Sequence, residues 1–299
     1  MANAGPKVFA LGRRRSESGA KAAGSSQADH SSPAVLEPVT TVAIWGPAGA
    51  PGKSTVALNL ADSLAVSGKR VLLVDADLVA PSLGLLVGAA DQSVGISAAC
   101  KLAREARLDS GELLRVSLKI DAAGSAFWLL PGISGASRWP EVTPSAIEAI
   151  LRVASQSFDV AIIDLASSLE PALNTQAAAI SRNELTRYVV SNADKLVALS
   201  LADAIGVHRA LRQILDVQKL RSDGAVNLVI NRFRESTGNS EKQLVETFQA
   251  LAKISPAAFL PNDSAVVDSA VRAGVPVRLI KRRSQLAKAV SALGSQLRV

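Results

Sequence analysis

The stretch Trp45-Gly46-Pro47-Ala48-Gly49-Ala50-Pro51-Gly52-Lys53-Ser54-Thr55 constrains this chain more than any other. It follows the apolar run Thr41-Val42-Ala43-Ile44 and leads into the helix-like Val56-Ala57-Leu58-Asn59-Leu60-Ala61. A strand, a glycine-rich turn ending in Gly-Lys-Ser and then a helix is the arrangement that wraps a triphosphate. Glycines let backbone amides approach phosphate oxygens, Lys53 brings a mobile positive charge to the outer phosphates, and the Ser54 hydroxyl is placed to join a magnesium shell. The spacing departs from the standard pattern, which has glycine five positions before Gly52. Pro47 stands there, and Gly46 lies one residue early. The flanking strand and helix, rather than the tripeptide, therefore carry the reading.

Acidic strand ends support it. Arg70-Val71-Leu72-Leu73-Val74 is a continuous β-type run, as expected for a strand buried on both faces, and it ends in Asp75-Ala76-Asp77. Carboxylates at the carboxyl edge of a strand beside a phosphate loop are placed to order magnesium and water; turn-capping acids are the plainer alternative. Phe158-Asp159-Val160-Ala161-Ile162-Ile163-Asp164 repeats the pattern and would carry Asp164 to magnesium as a Walker B acid. Leu78 to Leu83 and Leu165 to Ser181 read as loops able to respond to the γ-phosphate.

Further strands are predicted at Ala126–Leu130, Lys195–Leu201, Val226–Ile230 and Ala257–Leu260, the third delivering Asn231 and Arg232. Helices are predicted over 94–109, Pro144–Ser155, from about Arg182, over Ala204–Leu220, up to Ala273, and over Gln285–Leu297. Leu286, Val290, Leu293 and Leu297 share one face of the last; a core-packing stripe is favoured over a membrane-surface one. The alternation predicts one α/β domain over residues 39–299, a P-loop NTPase with a mainly parallel sheet flanked by helices. Residues 1–38 carry Arg13-Arg14-Arg15 and little apolar periodicity, so a disordered basic tail is expected there.

Composition narrows the partners without choosing one. No apolar run approaches the ~18 residues of a spanning helix, which makes a cytoplasmic protein the default. One cysteine, Cys100, excludes an internal disulfide, and His30 and His208 lack the neighbours of a zinc site. The net charge of +7 suits nonspecific DNA, an anionic membrane face or an acidic partner, and equally a plain solvated surface.

The residues resemble the deviant-Walker ATPases of the ParA/MinD family. Gly49 to Thr55, Val71 to Asp77, and Leu260-Pro261-Asn262-Asp263 to Gly274-Val275-Pro276-Val277 carry the likeness, which spans about residues 40 to 298. The Gly-Ala-Pro-Gly-Lys loop, Ser137 to Glu141 and the long loop after Asp164 look most like the TadZ/CpaE-type proteins that localise Flp/Tad pilus assembly. The resemblance implies ATP and Mg2+ as cofactors, with Gly49, Ala50 and Gly52 in the loop around the phosphates. By the same likeness Lys53 holds the β- and γ-phosphates, Ser54 magnesium and Thr55 the α-phosphate. Asp77 orients attacking water, Asp75 and Asp164 stand at the metal, and Asn231 and Arg232 contact adenine. It also implies a face-to-face homodimer with ATP between subunits, protein partners in a pilus or secretion assembly, and recruitment to the membrane or pole. A related tyrosine kinase is discarded, because Tyr188 is the one tyrosine.

Three departures qualify this. The family's signature lysine would fall at Ala48, so the cation that reaches the partner's phosphates is missing. Pro51 lacks the N–H that a loop residue normally offers phosphate. The 38 residues before the domain are too few for the receiver-like domain that CpaE-type proteins commonly carry. ATP binding with weak hydrolysis is expected, in a nucleotide-switched positioning protein. A non-catalytic scaffold and a DNA-binding partition ATPase are the alternatives.

Overall fold

Val42 to Trp45 is apolar without a break because this strand is covered on both faces. The computed structural model describes residues 38–49, 51–89, 95–171, 181–234, 236 and 238–299. The chain runs through β1 (Thr40–Trp45), α1 (Lys53–Val66), β2 (Val71–Ala76), α2 (Leu83–Leu86), α3 (Ile96–Arg104), α4 (Ser110–Arg115), β3 (Leu118–Asp121) and β4 (Ala126–Leu130). A 3-10 turn (Ala136–Glu141) leads to α5 (Pro144–Ala154), β5 (Val160–Leu165), α6 (Glu184–Asn192), β6 (Lys195–Leu201), α7 (Ala204–Leu220) and β7 (Asn227–Phe233). It closes with α8 (Glu241–Ala252), β8 (Ala258–Pro261), α9 (Ser264–Ala273), α10 (Val277–Ile280) and α11 (Gln285–Leu297).

Among the described residues the sheet has eight strands in the order β3-β4-β2-β5-β1-β6-β7-β8, all parallel to their neighbours except the edge strand β3. Alternate residues face opposite layers. Ala43, Trp45, Leu72 and Val74 pack with α3, α5 and α6, whereas Val42, Ile44, Val71 and Leu73 pack with α1 and α11. The single α/β domain with a mostly parallel sheet flanked by helices is thus the architecture found. It leaves the carboxyl ends of β1, β2 and β5 side by side, where ligands bind in open α/β sheets.

Leu286, Val290, Leu293 and Leu297 are all buried, so the stripe on α11 is core. The segment after α9 is clamped to α1: Asn59 Oδ1 accepts from Val277 N at 2.8 Å, and Asp62 pairs with Arg278 through two bonds of 2.8 Å. That clamp fixes the helix whose first turn bears Lys53 and Ser54. Among the described residues no helix is long and apolar enough to cross a membrane.

Several expectations shift. The helix read over 94–109 is helical only over Ile96–Arg104, and α4, β3 and α8 are additional elements. Asp75 and Asp164 lie within their strands, and Asn231 and Arg232 lie within β7 rather than beyond it. The tail expected over residues 1–38 falls outside the described residues apart from Pro38, as does most of the loop after Pro171.

Candidate nucleotide-binding site

Gly52 sets the geometry. It caps α1 with φ 87° and ψ 30°, left-handed values that turn the loop into the helix. A Cβ there would lie 2.6 Å from Asn231 Nδ2, and that nitrogen donates to Pro51 O at 2.6 Å. Asn231 is therefore a buried brace for the loop, a job its sequence position does not announce. The Pro51 ring lies against Gly46, where a Cβ would meet its Cγ at 2.9 Å. The proline thus fills the inside of the turn in exchange for its missing N–H. Gly52→Ala should cost about 1 to 2 kcal/mol in backbone strain alone, with the contact to Asn231 adding to it. Denaturant unfolding measures the loss, and an unchanged midpoint would contradict it.

A cavity of about 1420 Å3 opens over this loop, and Gly49, Gly52, Lys53, Ser54, Thr55 and Asp77 line it. Lys53 Nζ donates to Ser167 Oγ at 2.8 Å, and Trp45 Nε1 donates to Ser167 O at 3.1 Å. Ser167 thereby ties the end of β5 to the loop. Ser82 Oγ donates to Ser54 Oγ at 2.8 Å, linking the segment after Asp77 to the helix start. Neither serine stands out in the sequence. A second cavity of about 170 Å3 lies behind, lined by Gly52, Thr55, Asn231, Arg232 and Pro261 among others. Arg232 adopts φ 53° at a register irregularity between Ile230 and Phe233, and it borders both cavities. A non-glycine residue in that region is uncommon, and a bulge re-aims its side chain. Ala50 lies outside the described residues.

The three acids divide their work. Asp77 Oδ1 accepts from Val79 N and Ala80 N, both at 2.9 Å, which pins the segment after β2 while the carboxylate borders the main cavity. Asp75 Oδ2 accepts from Ser82 N and Leu83 N, both at 2.9 Å, and its Oδ1 accepts from Asp77 N at 3.3 Å. Burial pushes the Asp75 carboxyl up to about 7; the three amides pull it down and the Asp77 charge pushes it further up. Asp75 thus organises the loop, with both oxygens already engaged by backbone.

Asp164 faces Asp75 in the parallel register and is fully buried. No donor meets full hydrogen-bond geometry at either of its oxygens, although the Ser54 hydroxyl lies close enough to pull the carboxyl down. Burial first, then the Asp75 charge, raises its carboxyl well above the usual range, and the nearby Ser54 hydroxyl and Lys53 offset this only in part. A buried carboxylate without partners costs several kcal/mol, which a cation removes. Among the described residues no three His, Cys, Asp or Glu side chains converge as a metal cage. Magnesium fits such a place, since it is held by one or two protein oxygens, water and phosphate rather than by an all-protein site.

A phosphate loop at a helix N-terminus, with an orphaned acid behind its serine, defines a P-loop nucleotide-binding protein. The chain belongs to the family described as the CobQ/CobB/MinD/ParA nucleotide binding domain, which matches residues 42–277. It is similar to the septum site-determining protein MinD of Synechocystis, with 25% identity over 222 residues, 74% of this chain and 75% of that protein. Its fold matches a ParA family ATPase from Chlorobium tepidum with TM-score 0.71 and 17% identity, covering 86% of this chain and 98% of the other. It also matches the septum site-determining protein MinD of Pyrococcus horikoshii, solved with Mg-ADP, with TM-score 0.64 and 19% identity, over 87% and 96% of the two chains.

Proposed function

We propose that this chain binds Mg-ATP, dimerises on it, and uses the bound and free states to position a partner, with slow hydrolysis. The observation that carries the reading is the pair of orphaned Asp164 oxygens behind Ser54. The similarity to septum site-determining proteins supports the positioning role, and the Mg-ADP of the Pyrococcus horikoshii protein supports the cofactor. Bound magnesium would offset the charge of the phosphate oxygens. Loop amides and Lys53 hold the phosphates, Ser54 and Asp164 hold the ion, and Asp77 orients water at the γ-phosphate. Asp75 positions the Ser82–Leu83 backbone, so loss of the phosphate is felt by the loop that a partner would read.

Titration with ATP, with and without magnesium, followed by light scattering, tests this. Magnesium-dependent binding and a doubling of mass are expected. If ATP neither binds nor changes the mass, the scaffold reading, favoured by Ala48 and Pro51, replaces the switch. A trans cation is worth roughly a thousandfold or more in related phosphoryl transfer. Wild-type phosphate release should therefore be slow, and Ala48→Lys should raise it by about tenfold or more. Robust wild-type turnover that Lys53→Ala abolishes would refute the weak-ATPase part.

The finer reading as a TadZ/CpaE-type pilus-localising protein rests on the loop sequence and on Ser137 to Glu141. That segment is a 3-10 turn held by an Arg138–Glu141 fork of 2.8 and 2.9 Å. Co-purification with pilus-assembly proteins tests it. Salt-sensitive, ATP-dependent binding to nonspecific DNA would favour the partition alternative instead.

A further inference from the structure

The loop lacks a cation at Ala48, yet one stands over that place. Arg209, in the second turn of α7, donates from Nη1 to Ala48 O at 3.3 Å. A methyl group on Gly49 would collide with the same nitrogen, so the guanidinium lies directly on that glycine. Gly49 itself has φ 117°. Arg209 is exposed and lines the large cavity with Lys53, Ser54 and Asp77.

We propose that Arg209 is a phosphate-binding residue that supplies, from the same chain, the outer-phosphate cation absent at position 48, and so selects nucleoside triphosphate over diphosphate. The proposal rests on the nucleotide-binding reading above. Three features support it. Asp203 Oδ1 accepts from Gly206 N at 2.9 Å and fixes the start of α7, which sets where the second turn points. Arg209, Arg212, Asp216 and Lys219 recur at helical spacing and all line the cavity, so this face of α7 runs along it with Arg209 at the loop end. Guanidinium offers five N–H donors in a planar fork suited to phosphate, and the bond to Ala48 O uses one of them.

The order of groups along the loop assigns the outer phosphate. On the nucleotide-binding reading above Thr55 would lie at the α-phosphate end and Lys53 would serve the β- and γ-phosphates, while Gly49 lies further toward the loop start, where Arg209 sits. A cation there meets a triphosphate fully and a diphosphate little. Lys53 is held apart on Ser167 Oγ, so the two charges are distinct.

The test is calorimetric titration of wild type, Arg209→Ala, Arg209→Gln and Arg209→Lys with Mg-ATP analogue and with Mg-ADP. Arg209→Ala and Arg209→Gln should weaken the triphosphate by about ten- to hundredfold and the diphosphate by less than about threefold, with Arg209→Lys between. Thermal melting of the free proteins should match wild type, because the residue is exposed. Equal losses for both nucleotides, or no loss, overturn the proposal while wild-type binding leaves the nucleotide reading intact. A loss seen only at concentrations where the chain dimerises overturns the same-chain assignment. Wild type that binds neither nucleotide overturns the nucleotide reading itself, and this proposal with it.

Discussion

Lys53→Ala should lower Mg-ATP affinity by two orders of magnitude or more while leaving the fold intact. The ammonium rests on the Ser167 hydroxyl at 2.8 Å in the free protein, a neutral partner that phosphate oxygens outcompete. A charge-assisted hydrogen bond contributes about 1.5 to 3 kcal/mol, and two phosphates engage the group, so the loss is roughly 3 to 6 kcal/mol. That converts to about a hundred- to ten-thousandfold in affinity. Lys53 opens α1 at its first turn and its side chain reaches the cavity, so no core contact is lost. Calorimetric titration reads the effect, and a matching melting temperature shows that folding is unaffected. Affinity within about threefold of wild type would mean that the loop binds phosphate through its amides alone. Ser167→Ala is the informative companion. It removes the resting partner and not the charge, and should leave affinity equal or slightly tighter.

The parts legible in the sequence are those that repeat a period or a spacing. β1, β2 and β5 are readable because burial on both faces demands unbroken apolar runs. The loop is readable because Gly-Lys-Ser has a fixed relation to the helix that it starts. Some missed elements had signals. α8 begins with a capping box, Ser240 to Gln243, and buries Leu244, Phe248 and Ala252 at helical spacing. β3 is a four-residue edge strand whose Leu118-Lys119-Ile120-Asp121 alternates, a pattern too short to separate from a loop.

Other features depend on contacts across the chain. Asp75 and Asp77 look equivalent two positions apart, but β2 ends at Ala76, between them. One acid stays in the sheet and binds the amides of Ser82 and Leu83, while the other leaves it and reaches the cavity. Asn231 bracing Pro51 spans 180 positions, and Arg209 over Ala48 spans 161. No local pattern encodes such pairings. Arg232 is a similar case, because its left-handed backbone falls at the register shift between β7 and β8.

The buried acids make stability of the nucleotide-free protein fall as pH rises from about 4 to about 7. Asp75 has an ordinary value of 3.8 and is raised to about 7 in the fold, chiefly by burial. Between those values the folded chain keeps a proton that the unfolded chain has released, so folding is favoured by acid and loses that advantage as the carboxyl ionises. The span corresponds to a contribution on the order of 4 kcal/mol for Asp75. Asp164 is raised for the same cause and by the charge of Asp75 beside it, so its contribution has the same sign. The direction is the reverse of the usual paired carboxylate, whose stabilising effect disappears in acid. Urea unfolding in chelator at pH 5 and pH 8 should therefore show the free protein less stable at pH 8. Asp164→Asn should be more stable than wild type at pH 8, because the amide neither carries a buried charge nor has to hold a proton that the unfolded chain has released, and it should lose the magnesium dependence of ATP binding. Magnesium needs the ionised form of Asp164, so its binding releases a proton and Mg-ATP affinity should strengthen from pH 6 to pH 8 in wild type but not in Asp164→Asn. Stability that rises steadily from pH 5 to pH 8 in the free protein would mean that both carboxyls are ionised throughout. A cation would then not be what the two orphaned oxygens await, since their charge would already be tolerated without one.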